Sequence, residues 1–276
     1  MKQILLYFII TLLTINFAKA QSDYETNGIF QFVEELPVQK GLLYGPGRLD
    51  AEGKSILIGM DDENTGLTHI YTIDLNDLQK PVLIKGKLNN TTMSIYQPTM
   101  DRKRKSLIVV ASTSDSWSDN DLYESHKNIF NKYSKIKKLN TLNSDSLADA
   151  YPMLIAGGTE IYFTRDNQLF FSKRASVHTE FEAAKAVHFA NDGYAYVMSV
   201  WVSEDGKELF YSTSSGTIYH AKKNAYLSFD EPELFTDEFT DFDFIASISF
   251  DNTMKNLWLY LSDNNNLSHI LHYRLK

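Results

Sequence analysis

The sequence contains no cysteine. Disulfides, thiol chemistry and Cys-ligated metal sites are therefore excluded, as is a lipid anchor on a cysteine behind a leader. Positive charge is scarce: 27 Lys and Arg stand against 35 Asp and Glu, a formal net charge of −8. A net acidic chain with few basic clusters is a poor nucleic-acid binder, so no nucleic-acid partner is expected. Beyond the first residues no apolar run approaches the ~20 residues that a membrane-spanning helix needs. There is no phosphate-cradling glycine loop and no G-x-S-x-G nucleophile elbow. The seven histidines form no H-x-x-x-H or H-x-H pair. His69, His188, His220 and His269 fall on expected strands and read as packing or surface residues.

Residues 1–20 read as a signal peptide. Lys2 is a short positive region, Ile4–Ile15 an apolar core, and Ala18-Lys19-Ala20 a small-x-small cleavage site. Removing them would leave a net charge of −10, with 25 basic against 35 acidic residues. The Asn-, Lys- and Ile-rich composition looks bacterial, so the expected location is periplasmic or secreted. Residues 21–276 are enough chain for a large core in one domain. No transmembrane segment is expected after cleavage.

The chain that follows is organised around YVMSVWVSEDGKELFYSTSSGTIYHAKK, residues 196–223. It reads as three short β-strands separated by Glu204-Asp205-Gly206-Lys207 and Ser214-Ser215-Gly216, both turn sequences. So short a meander cannot bury its own faces. The chain supplies copies, each led by an aromatic residue: Tyr44, Tyr96, Tyr151, Tyr196 and Phe244, spaced 52, 55, 45 and 48 residues apart. A period of this length with several strands per unit signals a β-propeller. Fourth, more polar strands are expected at Pro81–Leu88, Ser134–Asn140, Glu182–Phe189 and Glu233–Phe235. The fifth copy lacks one, and Ile29–Leu36 is a strand without a partner. The expected fold is an all-β, five-bladed β-propeller of four-stranded antiparallel blades. The N-terminal strand closes the last blade beside His269–Leu275 and hides two edges.

Tyr151-Pro152, Ser203-Glu204-Asp205-Gly206-Lys207 with Leu209-Phe210, and Asp121-Leu122-Tyr123 resemble the TolB-type, WD40-like β-propeller repeat, P-x-x-S-x-D-G-K-x-[LI]-x-F followed by D-[LI]-Y. The resemblance covers about residues 28–276. Copy one departs from it with Ala51-Glu52-Gly53-Lys54, and copy five with Asn252-Thr253-Met254-Lys255. The resemblance implies secreted or periplasmic propellers that act mostly as binding platforms, with no shared catalytic residues to transfer.

Candidate sites follow from the expected geometry. The five leading aromatics, Tyr44, Tyr96, Tyr151, Tyr196 and Phe244, would ring one mouth of the channel as a ligand-binding surface or pack between blades. Asp115, Asp119 and Asp121 stand at positions 1, 5 and 7 of a short loop and could hold Ca2+. However, Asn120 replaces the usual glycine and His126 the closing glutamate. The blade-connecting loops and the hairpins between second and third strands share one face. That face collects 15 acids, among them Asp61, Asp62, Asp115, Asp119, Asp121, Asp149, Asp241 and Asp243, against Lys40, Arg48 and Arg165. The opposite face holds most lysines, and Asp101-Arg102-Lys103-Arg104-Lys105 is a basic turn suited to an anionic surface. A glycosidase would need two carboxylates on the upper inner strands, and YGPGR, YQPT, YPML, YVMS and FIAS contain none. The expected function is a non-catalytic binding platform for a protein or glycan partner in the cell envelope. The alternative is a carbohydrate-active enzyme (glycosidase).

Overall fold

The computed structural model describes residues 24–26, 28–36, 44–50, 52–101, 103, 105–113, 117–190, 196–242, 244–262 and 268–276. The signal-peptide expectation lies outside them. Among the described residues no helix is long and apolar enough to cross a membrane. The first strand, β1 (Phe30–Glu35), stands apart from those that follow it. Blade one is β2 (Tyr44–Leu49), β3 (Ser55–Asp62), β4 (Leu67–Asp74) and β5 (Asp77–Leu83), hydrogen-bonded in that order. Blade two is β6 (Ser94–Met100), β7 (Ser106–Ser112), β8 (Asp121–His126) and β9 (Lys137–Lys138). Blade three is β10 (Asp149–Ile155), β11 (Glu160–Arg165), β12 (Gln168–Lys173) and β13 (Lys185–Ala186). After β14 (His188–Phe189) comes blade four: β15 (Val200–Val202), β16 (Glu208–Ser212), β17 (Ile218–Ala225) and, beyond β18 (Ser228–Phe229), β19 (Glu233–Thr236). Blade five begins with β20 (Phe244–Phe250), β21 (Asn256–Ser262) and β22 (Ser268–Leu275).

Its fourth strand is β1. β1 pairs antiparallel with β22, from Phe30 opposite Leu275 to Glu35 opposite Leu271, with a bulge between Phe32 and Glu34. Leu36 N–H donates to Ile270 O at 2.9 Å, and Lys276 N–H to Ile29 O at 2.9 Å. The first strands β2, β6, β10, β15 and β20 touch one another in sequence and β20 touches β2, so the ring is closed. The expected five-bladed propeller and its N-terminal closure are both present.

Three fourth strands differ from expectation, and in blade one the strand is Asp77–Leu83 rather than Pro81–Leu88. In blade two only Lys137–Lys138 pairs with β8, because residues 127–133 form a separate hairpin. In blade three the stretch splits after Ala186. Lys185 and Ala186 stay on β12, while His188 and Phe189 cross to pair parallel with Ser228 and Phe229 of blade four. Burial drives the crossing, since Phe189 and Phe229 both enter the core between blades three and four.

That core is one of five. Each buried cluster lies in the seam between two neighbouring blades: blades one and two around Leu107 and Val109, two and three around Ile108 and Phe163, three and four around Tyr162 and Tyr211, four and five around Phe210 and Leu259, five and one around Ile58 and Trp258. The second strands read as continuous apolar runs, and β7 is buried along its whole length, because both faces meet a neighbour. Side chains of one inner strand cap amides of the next. Thr99 Oγ1 accepts Leu154 N–H at 3.0 Å, Ser199 Oγ accepts Ile248 N–H at 3.2 Å, and Ser249 Oγ accepts Leu49 N–H at 3.0 Å. The turn Glu204–Lys207 has Gly206 at φ 71°, the left-handed conformation that glycine adopts at no steric cost.

Deleting residues 21–36 is expected to unfold or aggregate the whole protein. It removes the buried Phe30, Phe32 and Leu36, each worth ~1.5–3 kcal/mol of burial, from a domain whose total stability is about 5–15 kcal/mol. Melting of the truncated protein like the full chain would refute closure. The closing pair also predicts a pH dependence. His272 stacks on Trp258 at 4.3 Å, contacts Glu34 Oε1 at 3.2 Å, and its pKa is held below the ordinary histidine value, chiefly by burial. The folded state therefore resists protonating it. Its contribution is complete above about pH 6.5 and is lost as pH falls below that value. The melting temperature should drop on acidification through this window, and less so in His272→Gln.

Candidate functional site

The inner strands bring the acids of the channel to one end, and there each carboxylate holds a turn. In four blades the residue ending the first strand donates its N–H to the carbonyl five residues on: Asp50 to Ser55, Asp101 to Ser106, Ser203 to Glu208 and Asp251 to Asn256, at 2.8–3.1 Å. In blade three, Ile155 pairs with Glu160 at the same place. The side chains at these positions staple the turn, as Asx and Ser residues do. Asp50 Oδ1 accepts from Lys54 N–H at 3.0 Å and Asp101 Oδ1 from Lys105 N–H at 2.6 Å. Asp251 Oδ1 accepts from Lys255 N–H at 3.1 Å, and Ser203 Oγ from Lys207 N–H at 3.1 Å. Burial pushes the Asp251 carboxyl up, but the hydrogen bonds from Asn256, Thr253 and Lys255 outweigh it and hold it low. The TolB-like S-x-D-G-K motif is thus a turn device. Glu204 reaches across to blade three, where its Oε1 accepts Gly157 N–H at 2.7 Å.

The cavity at this end is lined by Asp50, Asp251 and Glu204 with Arg48, Met153 and Trp201. Arg48 is not one of the loop cations that the sequence suggests. It belongs to β2, and its side chain crosses the ring. Nη2 donates to Val200 O of blade four at 2.9 Å, and Nη1 to Met153 Sδ of blade three at 3.0 Å. It is buried, and burial brings its pKa down to about 10. Among the described residues no carboxylate lies within ion-pair distance of it. A polar plug thus joins three blades at the centre of the ring.

The leading aromatics do not share a rung. Counted back from the turn residue that ends each first strand, Tyr44 stands six residues away, Tyr96 five, Tyr151 four, and Tyr196 and Phe244 seven. Bulges between Gly45 and Arg48, Tyr96 and Thr99, Ala150 and Met153, and Ile245 and Ser247 shift the register further. Alignment on the aromatics was therefore out of step with the backbone. Tyr96 OH donates to Asn120 Oδ1 of its own blade, and burial pushes its phenol pKa up. Burial, with a smaller contribution from Tyr196, does the same to Tyr151. Phe244 packs against the seam between blades five and one. Tyr196 is exposed, and only the backbone of Tyr44 is described.

Antiparallel four-stranded blades put second-to-third hairpins and blade connections on one face and the other turns on the opposite face, where Glu52, Asp74, Asp77, Asp205, Asp230 and Glu231 are also exposed. Some of the acids are not surface charges. Asp149 is buried, with its Oδ1 2.8 Å from Arg165 Nε; burial raises its pKa and Arg165 partly offsets this. Asp121 pairs with Lys138 at 2.5 Å, and Asp119 accepts hydrogen bonds from Ser112 and Thr113. Asp61 accepts from Thr68 Oγ1 at 2.6 Å, and Asp62 staples Asn64 at 2.9 Å. Asp115 and Asp243 lie outside the described residues, among which no group of three or more metal-ligating side chains forms. Exposed acids remain at Glu63, Asp145, Asp166, Asp237 and Asp241.

A buried ion pair escaped sequence reasoning. Arg174 Nη2 lies 2.8 Å from Glu124 Oε1, Arg174 Nε donates to Gly158 O at 2.8 Å, and the guanidinium sits over Phe181 at 4.1 Å. Burial pushes the Glu124 carboxyl up, but bonds from His126, Arg174 and Ser106 outweigh it and hold it low. It ties blade two to blade three, and no local pattern links residues so distant in the chain.

No protein-family model and no curated protein matches the chain. Solved structures do. TolB of Acinetobacter baumannii is 16% identical with a TM-score of 0.51, over 85% of this chain and 55% of its own. A gluconolactonase of Xanthomonas campestris is 10% identical with a TM-score of 0.53, over 83% of this chain and 71% of its own. A protein assigned as TolB from Agrobacterium tumefaciens is 11% identical with a TM-score of 0.53, over 82% and 72%. The chain spans about half the length of the Acinetobacter protein (55%). At these identities the likeness is one of fold, a propeller shared with TolB proteins.

Arg48→Met is expected to leave stability within about 1 kcal/mol of wild type or to raise it, because a buried charge without a carboxylate partner is replaced by an apolar side chain of similar length. A melting temperature lowered by many degrees would show that the plug's hydrogen bonds outweigh the cost of burying its charge.

Proposed function

We propose that this chain is a secreted or periplasmic, non-catalytic binding platform that docks a protein or glycan partner of the cell envelope through the face bearing its acidic loops. The observation that supports this reading is the employment of the channel acids. Asp50, Asp251 and Glu204 each accept backbone N–H groups, and Arg48 bridges the ring above them. A hydrolase needs carboxylates placed to act on a bond, one as acid and one as base or nucleophile. The faces are where ligand contact is left to occur, and exposed Glu63, Asp145 and Asp241 give one face its sign. A surface of one sign concentrates partners of the other and speeds their association. A basic protein patch fits it better than an acidic glycan does. Exposed Tyr196 offers an aromatic contact for the same partner.

A second reading, a carbohydrate- or lactone-acting enzyme, has one observation in its favour: the fold is shared with a gluconolactonase. Two measurements separate the readings. A screen of soluble glycans and sugar lactones with the purified protein is expected to show no turnover; turnover would establish the enzyme. Crosslinked capture from the native envelope, compared with a Glu63→Lys, Asp145→Lys, Asp241→Lys variant, is expected to lose its partner in the variant at unchanged melting temperature. Capture that survives both the charge reversal and raised salt would exclude the acidic face as the docking surface.

A further inference from the structure

One corner of blade two contradicts the acidic character of the rest. Residues 127–138, KNIFNKYSKIKK, carry five lysines and no acid. They fill the connection between β8 and β9, on the face opposite the acidic loops. At its tip Ile129 is 91% exposed and Phe130 74% exposed, side by side. Two adjacent large apolar side chains held this far into solvent are unusual unless something covers them.

The tip is built to stay there. Asn128 Oδ1 accepts Phe130 N–H at 2.9 Å and Lys132 N–H at 3.1 Å, and Asn131 takes the left-handed conformation at φ 57°. The base is clamped by Tyr133, whose ring is buried in the seam with blade one. Tyr133 N–H donates to Lys85 O at 2.9 Å, and Lys87 N–H donates to Tyr133 O at 2.7 Å. Gly86 permits the approach, since a Cβ there would lie 2.3 Å from Tyr133 O. Lys127 N–H donates to Lys105 O at 2.8 Å, which brings the basic 101–105 turn against the hairpin.

Around this tip the cations converge. Lys137 pairs with Glu180 and Lys138 with Asp121. Among the described residues, Lys85, Lys87, Lys103, Lys105, Lys127, Lys132 and Lys135 have no carboxylate within ion-pair distance. Behind the tip, Lys135, Lys137, Lys138, His126 and His178 line a groove between blades two and three, together with Glu124, paired to Arg174 and His126, and Glu180, paired to Lys137.

We propose that this corner is a membrane-docking surface for anionic phospholipid. Ile129 and Phe130 enter the boundary between headgroups and acyl chains, the lysine collar holds lipid phosphates, and the groove receives a headgroup. An apolar wedge alone would suit any hydrophobic partner. The collar of cations selects a surface that is anionic outside and apolar within, which is a bilayer of acidic lipid. Docked this way, the disc turns its acidic face away from the membrane, toward solvent.

Co-sedimentation of the full protein with phosphatidylcholine vesicles, with and without phosphatidylglycerol, tests this. Binding is expected only with the anionic lipid and should weaken with salt. Ile129→Ser with Phe130→Ser should lower partitioning by about tenfold or more, the loss expected for withdrawing apolar side chains from lipid. Lys127→Ser with Lys132→Ser and Lys135→Ser should lower it by about a hundredfold. Ile129, Phe130, Lys132 and Lys135 are exposed and Lys127 is half-buried over the Tyr133 ring at 5.8 Å, so the melting temperature should move little. A Lys132→Ser, Lys135→Ser variant that retains Lys127 should still lose partitioning. As an independent readout, Phe130→Trp should add a blue-shifted emission on anionic vesicles. Absence of binding to anionic vesicles would overturn the proposal, as would equal binding to neutral ones. Binding to a soluble polyphosphate as tight as to vesicles, unaffected by the tip substitutions, would overturn it in favour of a polyanion site.

Discussion

The pairing of β1 with β22 is the contact on which the rest of this ring depends. Every core cluster belongs to two blades at once, so no blade owns a complete core. An open ring would expose the free edge of blade five and loosen the seams on either side of it. Six residues at the start of the chain prevent this, supplying backbone bonds to the edge and Phe30 and Phe32 to the seam between blades four and five. Stability is therefore cooperative around the circle, and the loops between closed blades can vary without disturbing it.

Closure also decides where function can reside. At the centre of the ring Arg48 joins blades one, three and four through Met153 and Val200. The acids nearest the centre hold turns. The loops and turns on the outside of the disc are free of this constraint. Exposed acids stand on both sides of the disc, and the 127–138 corner of blade two is lysine-rich and apolar-tipped.

The turn motif was legible because it is local. Asp or Ser at the end of a strand, followed within four residues by Gly or Lys, needs only neighbouring amides to fold as it does, and Asp50, Asp101, Ser203 and Asp251 do so in the same way. The rung of each leading aromatic was not legible, for the opposite reason. A leading Tyr or Phe is conspicuous in sequence, but its rung is set by bulges that no pattern of two reveals. Likewise Asp149 reads as one more loop acid until Arg165 is folded onto it.

By itself the sequence determined the strand-turn rhythm, the number of blades and the strand that closes them. These follow from periodicity, turn chemistry and the alternation of antiparallel strands, all readable over a few residues or by counting. Only the tertiary structure decided that Arg48 would plug the channel and that Glu124 would meet Arg174. It alone placed His188–Phe189 on the next blade and clamped Tyr133 at Gly86 so that Ile129 and Phe130 stand in solvent. Each of these contacts joins parts of the chain that are remote in sequence, and a remote contact depends on how two blades pack, which no single stretch encodes.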